Sequence, residues 1–197
     1  FTGDNSLLNS IDLSNCANLV WYQGFRSNLQ TINLSNCTAL EKLQIFSNSL
    51  LQSIDLSDCI NINQLGAYNC DFLSFDFTNN TLLNIVYINS NSNLVNVDCS
   101  MLVNATLIWI TNNSSQTTIN LSNCAALTDF RFQNTLLNAL DISDCVNLVF
   151  LSGNNARLDN IVNSQLLIDL DGHGLSNGYF QGAIFGGGTL TTAGLAA

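Results

Sequence analysis

The feature that most constrains this chain is a block of about nine residues that returns at a nearly constant interval. LNSIDLSNC begins at Leu8, LQTINLSNC at Leu29, LQSIDLSDC at Leu51 and FLSFDFTNN at Phe72. LVNVDCSML follows at Leu94, QTTINLSNC at Gln116, LNALDISDC at Leu137 and a shortened LDNIVNS at Leu158. The steps are 21, 22, 21, 22, 22, 21 and 21 residues. A fixed period of this size marks a solenoid, because one such unit cannot bury its own apolar face and must stack on its neighbours.

A second copy of the pattern sits eleven residues into each unit. LEKLQIFSN begins at Leu40, INQLGAYNC at Ile62, LNIVYINSN at Leu83, ATLIWITNN at Ala105, LTDFRFQNT at Leu127 and LVFLSGNNA at Leu148. Each unit is therefore LxxLxLxxN twice over. Period-two alternation within LxL points both apolar side chains to one face of a short strand. The Leu three residues earlier fills the same interior, and the closing Asn or Cys stands where the chain bends inward. Backbone groups buried at such a bend need partners, which an amide can supply. The expected architecture is an all-β, right-handed parallel β-solenoid with two short strands per coil and about seven to eight coils. At about 4.8 Å per coil, seven coils make a rod of roughly 34 Å. Proline is absent, as expected where nearly every strand N–H joins a ladder.

This repeat resembles the leucine-rich repeats, specifically the nested-period, 21-residue class called IRREKO, over about Leu8 to Asn163. The resemblance implies a non-enzymatic module of bacterial surface or secreted proteins, or of phage tails. The segment LLIDLDGHGLSNGYFQGAIFGGG is also similar, more loosely, to sequences that follow such arrays in bacterial and phage proteins. Residues 1–7 are expected to be an N-terminal cap or linker, 8–163 the solenoid, and 164–197, which hold eight of the twelve glycines, a C-terminal cap or linker. Since it begins at Phe1 and lacks a signal-peptide pattern, the chain is expected to be processed or to be part of a longer polypeptide. Met101, Leu102 and Gln116 break the pattern, and Gly24, Ala67 and Gly153 replace the last apolar position of some second strands. The core is expected to thin at those second strands.

Composition narrows the function. Apolar residues make up 47% and charged residues 9%, with a net charge of -10. That is not the balance of a disordered chain. Arg26, Lys42, Arg131 and Arg157 are the only cations besides the single His, too few for a phosphate-binding face. No apolar run is long enough to span a membrane.

The two strands of a coil carry different outward residues. Those of the first are small and polar, as in Ser10-Asp12-Ser14, Thr31-Asn33-Ser35 and Ser53-Asp55-Ser57, which reads as a solubility face. Its column Asp12, Asp55, Asp76, Asp98 and Asp141 is the candidate for cation binding, interrupted by Asn33 and Asn120. The outward residues of the second strand are large and varied. Trp21, Phe25, Lys42, Phe46, Tyr68, Tyr87, Leu107, Trp109, Arg131 and Phe150 are the candidate partner-binding residues. Aromatics and Arg are the types enriched at binding hot spots. The face is expected to bind a protein or glycan, as in adhesion. The alternative is a structural subunit of a phage tail fibre, virion or surface filament, packing on sister chains through the same face.

Chemistry-bearing motifs are weak. Gly174-Leu175-Ser176-Asn177-Gly178 matches the nucleophile-elbow letters, but only 19 residues follow and His173 precedes the Ser; the elbow needs a helix, an acid and a His downstream. Asp169 and Asp171 fit the start of a calcium loop whose twelfth position is Phe180 where a bidentate Glu is required. No catalytic residue and no cofactor is expected, calcium being the one candidate. Cys16, Cys37, Cys59, Cys124 and Cys145 share one repeat position. Parallel side chains suit a disulfide poorly, so these are expected to form a buried thiol ladder, with Cys99 in the core and Cys70 as the second-strand equivalent.

Overall fold

Short L-x-L strands separated by tight turns dictate a coil that closes every 21–22 residues, and the chain winds that way. The computed structural model describes residues 8–25 and 28–156, together with the backbone of strands at 2–4 and 179–181. It is an all-β, parallel β-solenoid of about seven coils, with no helix among the described residues. A 21-residue coil of this form is consistent with leucine-rich-repeat-type units.

The second strand of each coil builds one continuous sheet of nine strands. In spatial order these are β1 (Thr2–Asp4), β3 (Trp21–Phe25), β5 (Lys42–Phe46), β6 (Gln64–Tyr68) and β7 (Ile85–Asn89), then β9 (Leu107–Trp109), β11 (Asp129–Arg131), β12 (Phe150–Ser152) and β13 (Tyr179–Gln181). All pair in parallel, one coil on the next, so Tyr22, Leu43, Leu65, Val86, Ile108, Phe130 and Leu151 form one inward column. Parallel pairing across whole coils satisfies every interior strand without a hairpin.

The first strands are less regular than their sequence suggests. Only β2 (Ser10–Asp12) with β4 (Thr31–Asn33), and β8 (Asn96–Asp98) with β10 (Thr118–Asn120), form sheet ladders among the described residues. Residues 53–55, 74–76 and 139–141 run in the same place without strand geometry. The cause is local. At this position the Asx side chain takes over the turn: the N–H of Ser14, Ser57, Thr78, Ser100 and Ser143 donates to Oδ1 of Asp12, Asp55, Asp76, Asp98 and Asp141. Asn33 and Asn120 receive Ser35 and Ser122 in the same way. Asx turns of this kind compete with the ladder for backbone donors.

Each second strand leaves the sheet through a left-handed residue: Ser47, Asn69, Ser90, Asn112, Asn134 and Asn155 have φ between 50° and 63°. Asn tolerates that region better than other residues with a Cβ. The turn drives the next side chain inward, which buries Asn48, Cys70, Asn91 and Asn113. Their donors meet carbonyls of the strand ends: Asn48 Nδ2 donates to Phe46 O, Asn91 Nδ2 to Ala67 O, and Asn113 Nδ2 to Ile88 O.

The expected thinning of the core at Gly24 and Gly153 does not occur. The Tyr22 ring folds along its own strand into the space above Gly24, where a Cβ would stand 2.8 Å from the Tyr22 hydroxyl. Phe132 fills the space at Gly153, 2.2 Å from where a Cβ would be. Oversized neighbours replace the missing side chains. The thin side lies opposite, where Ile11, Ile54, Phe75 and Ile119 of the first strands are only partly buried.

Candidate interaction face

The outward residues of the nine-stranded sheet fall into three columns by register. One holds Trp21, Lys42, Gln64, Ile85, Leu107, Asp129 and Phe150. The middle one holds Gln23, Gln44, Gly66, Tyr87, Trp109, Arg131 and Ser152. The third holds Phe25, Phe46, Tyr68 and Asn89. All ten candidate residues therefore lie on this one face.

The structure links seven of them into one oblique ridge. Phe25 stacks on Phe46 at 4.9 Å, Phe46 on Tyr68 at 4.7 Å, and Tyr68 meets Tyr87 at 5.9 Å between ring centroids. Tyr87 meets Trp109 edge-on at 4.9 Å. Arg131 then lies over Trp109, its guanidinium carbon 4.0 Å from the ring centroid, and over Phe150 at 4.5 Å. The ridge starts in the third column, crosses to the middle at Tyr87 and ends in the first at Phe150.

Gly66 makes the first crossing. A Cβ there would stand 2.7 Å from Cε2 of Tyr68, so the absent side chain lets the Tyr68 ring lean across the middle column towards Tyr87. Burial pushes the Tyr68 phenol well above its ordinary pKa, with a smaller contribution from Tyr87. Asp129 fixes the far end. It takes Nε and Nη2 of Arg131 at 2.9 and 2.8 Å and the indole N–H of Trp109 at 3.1 Å. A bidentate carboxylate and two flanking rings hold the guanidinium in a single pose.

Trp21, Lys42 and Leu107 stand off the ridge. Trp21 is 45% exposed, whereas Trp109 is largely covered by Tyr87 and Arg131. Gln23 and Gln44 are joined by a side-chain hydrogen bond of 2.8 Å beside the ridge. Sequence reasoning found the aromatic face but not the stacking; it also passed over Asp129 as an organiser and Gly66 as the crossing point.

The other candidate sites resolve differently. The aspartate column of the first strands is a set of turn caps. The donors from Ser14, Ser57 and Ser100, first the backbone N–H and then the side chain, hold Asp12, Asp55 and Asp98 below the usual carboxylate range. Asp76 and Asp141 are lowered chiefly by the hydroxyls of Thr78 and Ser143. Among the described residues, no group of three or more His, Cys, Asp and Glu side chains could hold a metal. Asp169, Asp171, His173, Ser176, Arg26 and Arg157 lie outside the described residues.

The thiols are all unpaired. Cys37, Cys59, Cys124 and Cys145 are buried in line, and burial pushes Cys59 and Cys145 up to about 12 and Cys124 up to about 11. Cys37 Sγ donates to Leu13 O at 3.1 Å and Cys124 Sγ to Cys99 O at 3.3 Å. Asn80 takes the same place in its coil and donates to Leu56 O and Cys59 O. Cys16 departs from the expected buried ladder: it is exposed, because its coil lies at the start of the stacked column.

No protein-family model matches the sequence, and no curated protein matches it. Among solved structures, the chain is similar to the functional domain of InlJ from Listeria monocytogenes, which includes a cysteine ladder, at 16% identity and a TM-score of 0.41. The match covers 76% of this chain and 42% of that one, so the chain spans less than half the length of that structure.

Proposed function

We propose that this chain is a non-enzymatic binding module of the nested-period leucine-rich-repeat kind, docking a protein on the nine-stranded sheet. The observation that carries this reading is segregation. Both tryptophans, the stacked aromatic ridge and both cations with described side chains share one face, while the opposite face is a hydrated array of capped Ser, Thr and Asx. Contiguous apolar surface of this extent marks interaction sites. A protein suits the face better than a glycan. Sugars bind flat on open ring faces, and here the faces of Phe46 and Tyr68 are already covered by neighbouring rings. The proposed setting is extracellular, on a bacterial surface or a virion, with the end segments 1–7 and 164–197 serving as caps or linkers.

Acrylamide quenching of tryptophan emission tests the reading, in a Trp109→Phe variant that leaves Trp21 as the sole reporter. Exposed Trp21, quenchable equally at all protein concentrations, is the expected result. Protection that grows with concentration would favour assembly with sister chains, as in a fibre. Protection even at high dilution would mean the chain covers its own sheet, and the reading would fail.

A further inference from the structure

Resting on the docking face proposed above, we infer that its partner is an acidic, apolar protein segment that lies along the ridge. Three observations point there. First, the ridge presents ring edges. Each ring from Phe25 to Trp109 spends its face on the next residue in the stack, and aromatic edges carry the positive end of the ring quadrupole. Such edges favour carbonyl and carboxylate oxygens.

Second, the charge on this face is inverted relative to the rest of the molecule. Among residues with described side chains, the sheet carries Lys42 and Arg131 against Asp129, a sum of +1, within a chain of net charge -10. Asp129 is already spent on Arg131 and Trp109. Lys42 is exposed. The remaining acids with described side chains, Glu41 and the aspartates of the turns and first strands, lie off the outward columns. They repel an anionic segment everywhere except on the ridge, which gives specificity by exclusion. Because screening acts over about 8 Å at physiological salt, that repulsion is local enough to define a path.

Third, the ridge is long and narrow. Six coil steps at about 4.8 Å give roughly 29 Å, the reach of some nine extended residues at about 3.3 Å each. Amide-bearing side chains flank it on both sides: Gln23, Gln44 and Gln64 on one, Asn89 on the other. They offer hydrogen bonds to an extended backbone.

Selection of a random dodecapeptide display library on the full chain tests this inference. The expected outcome is at least tenfold enrichment of sequences that combine Asp or Glu with large apolar residues, with capture falling as salt is raised. Lys42→Glu should abolish the preference for acids while leaving the stack intact. Enrichment of Lys- or Arg-rich sequences, or of neutral apolar ones with no salt dependence, would overturn the inference and keep the docking face. Sequences retained equally by a folded Tyr87→Ser, Trp21→Ser double variant would instead show that the sheet is not the docking face. Recovery of no specific sequence would also overturn the inference.

Discussion

Gln116 is wholly buried, and neither its amide nitrogen nor its amide oxygen has a hydrogen-bond partner among the described residues. It occupies the place held in other coils by Leu29, Leu51, Leu94 and Leu137, all buried. Replacing Gln116 with Leu removes two orphaned polar atoms and restores the repeat. The shapes are close, so little cavity is left behind. Each orphaned group costs roughly 1–3 kcal/mol. Since the two share one side chain, the expected stabilisation is about 2–4 kcal/mol. The assay is urea unfolding followed by far-ultraviolet circular dichroism. With a slope of about 2 kcal/mol/M, the midpoint should rise by about 1–2 M at unchanged slope. The reverse change, Leu51→Gln, should lower the midpoint by a comparable amount. An unchanged or lowered midpoint for Gln116→Leu would refute the reasoning, and would mean that a trapped water satisfies the amide.

Thiol labelling should read the column of cysteines directly: under native conditions near pH 8 only exposed Cys16 reacts promptly, while all seven react after denaturation. Prompt labelling of Cys59 or Cys145 would contradict the burial that raises both to about 12. The aspartate caps give the solenoid an acid limit. Their folded pKa values lie below the unfolded one, so their stabilisation is fully present above about pH 3.9 and is lost as pH falls through the lowered values. The melting temperature should therefore drop below pH 4, and Asp55→Asn with Asp98→Asn, which copy Asn33 and Asn120, should make that drop shallower.

Most of the coil was legible because solenoid contacts are nearly local. The inward positions Leu43, Ile45, Val86, Ile88, Ile108 and Ile110 follow from alternation alone, and all are buried. The amide role of Asn91 and Asn113 followed from asking where buried carbonyls find donors. What could not be read position by position was compensation between positions. Gly24 looked like a gap until Tyr22 was seen to fold over it, and Gly153 until Phe132 filled it. The first strands looked as regular as the second, but their Asx residues divert backbone donors into turns. The ridge did leave a trace in the sequence. Its steps are one coil long from Phe25 to Phe46 to Tyr68, then 19 residues to Tyr87 and again 19 from Arg131 to Phe150. A step two residues short of a coil moves the contact by one outward column.

Those short steps give the molecule a reading order. The interior would tolerate an extra coil, since Leu stacks on Leu wherever a unit is inserted. The ridge would not: a unit duplicated between Tyr68 and Tyr87 would separate the two rings and strand the crossing at Gly66. Coils of this chain are thus interchangeable parts on the inside and numbered parts on the outside. Recombination among repeats can lengthen the rod at small energetic cost, but each such event writes a different surface.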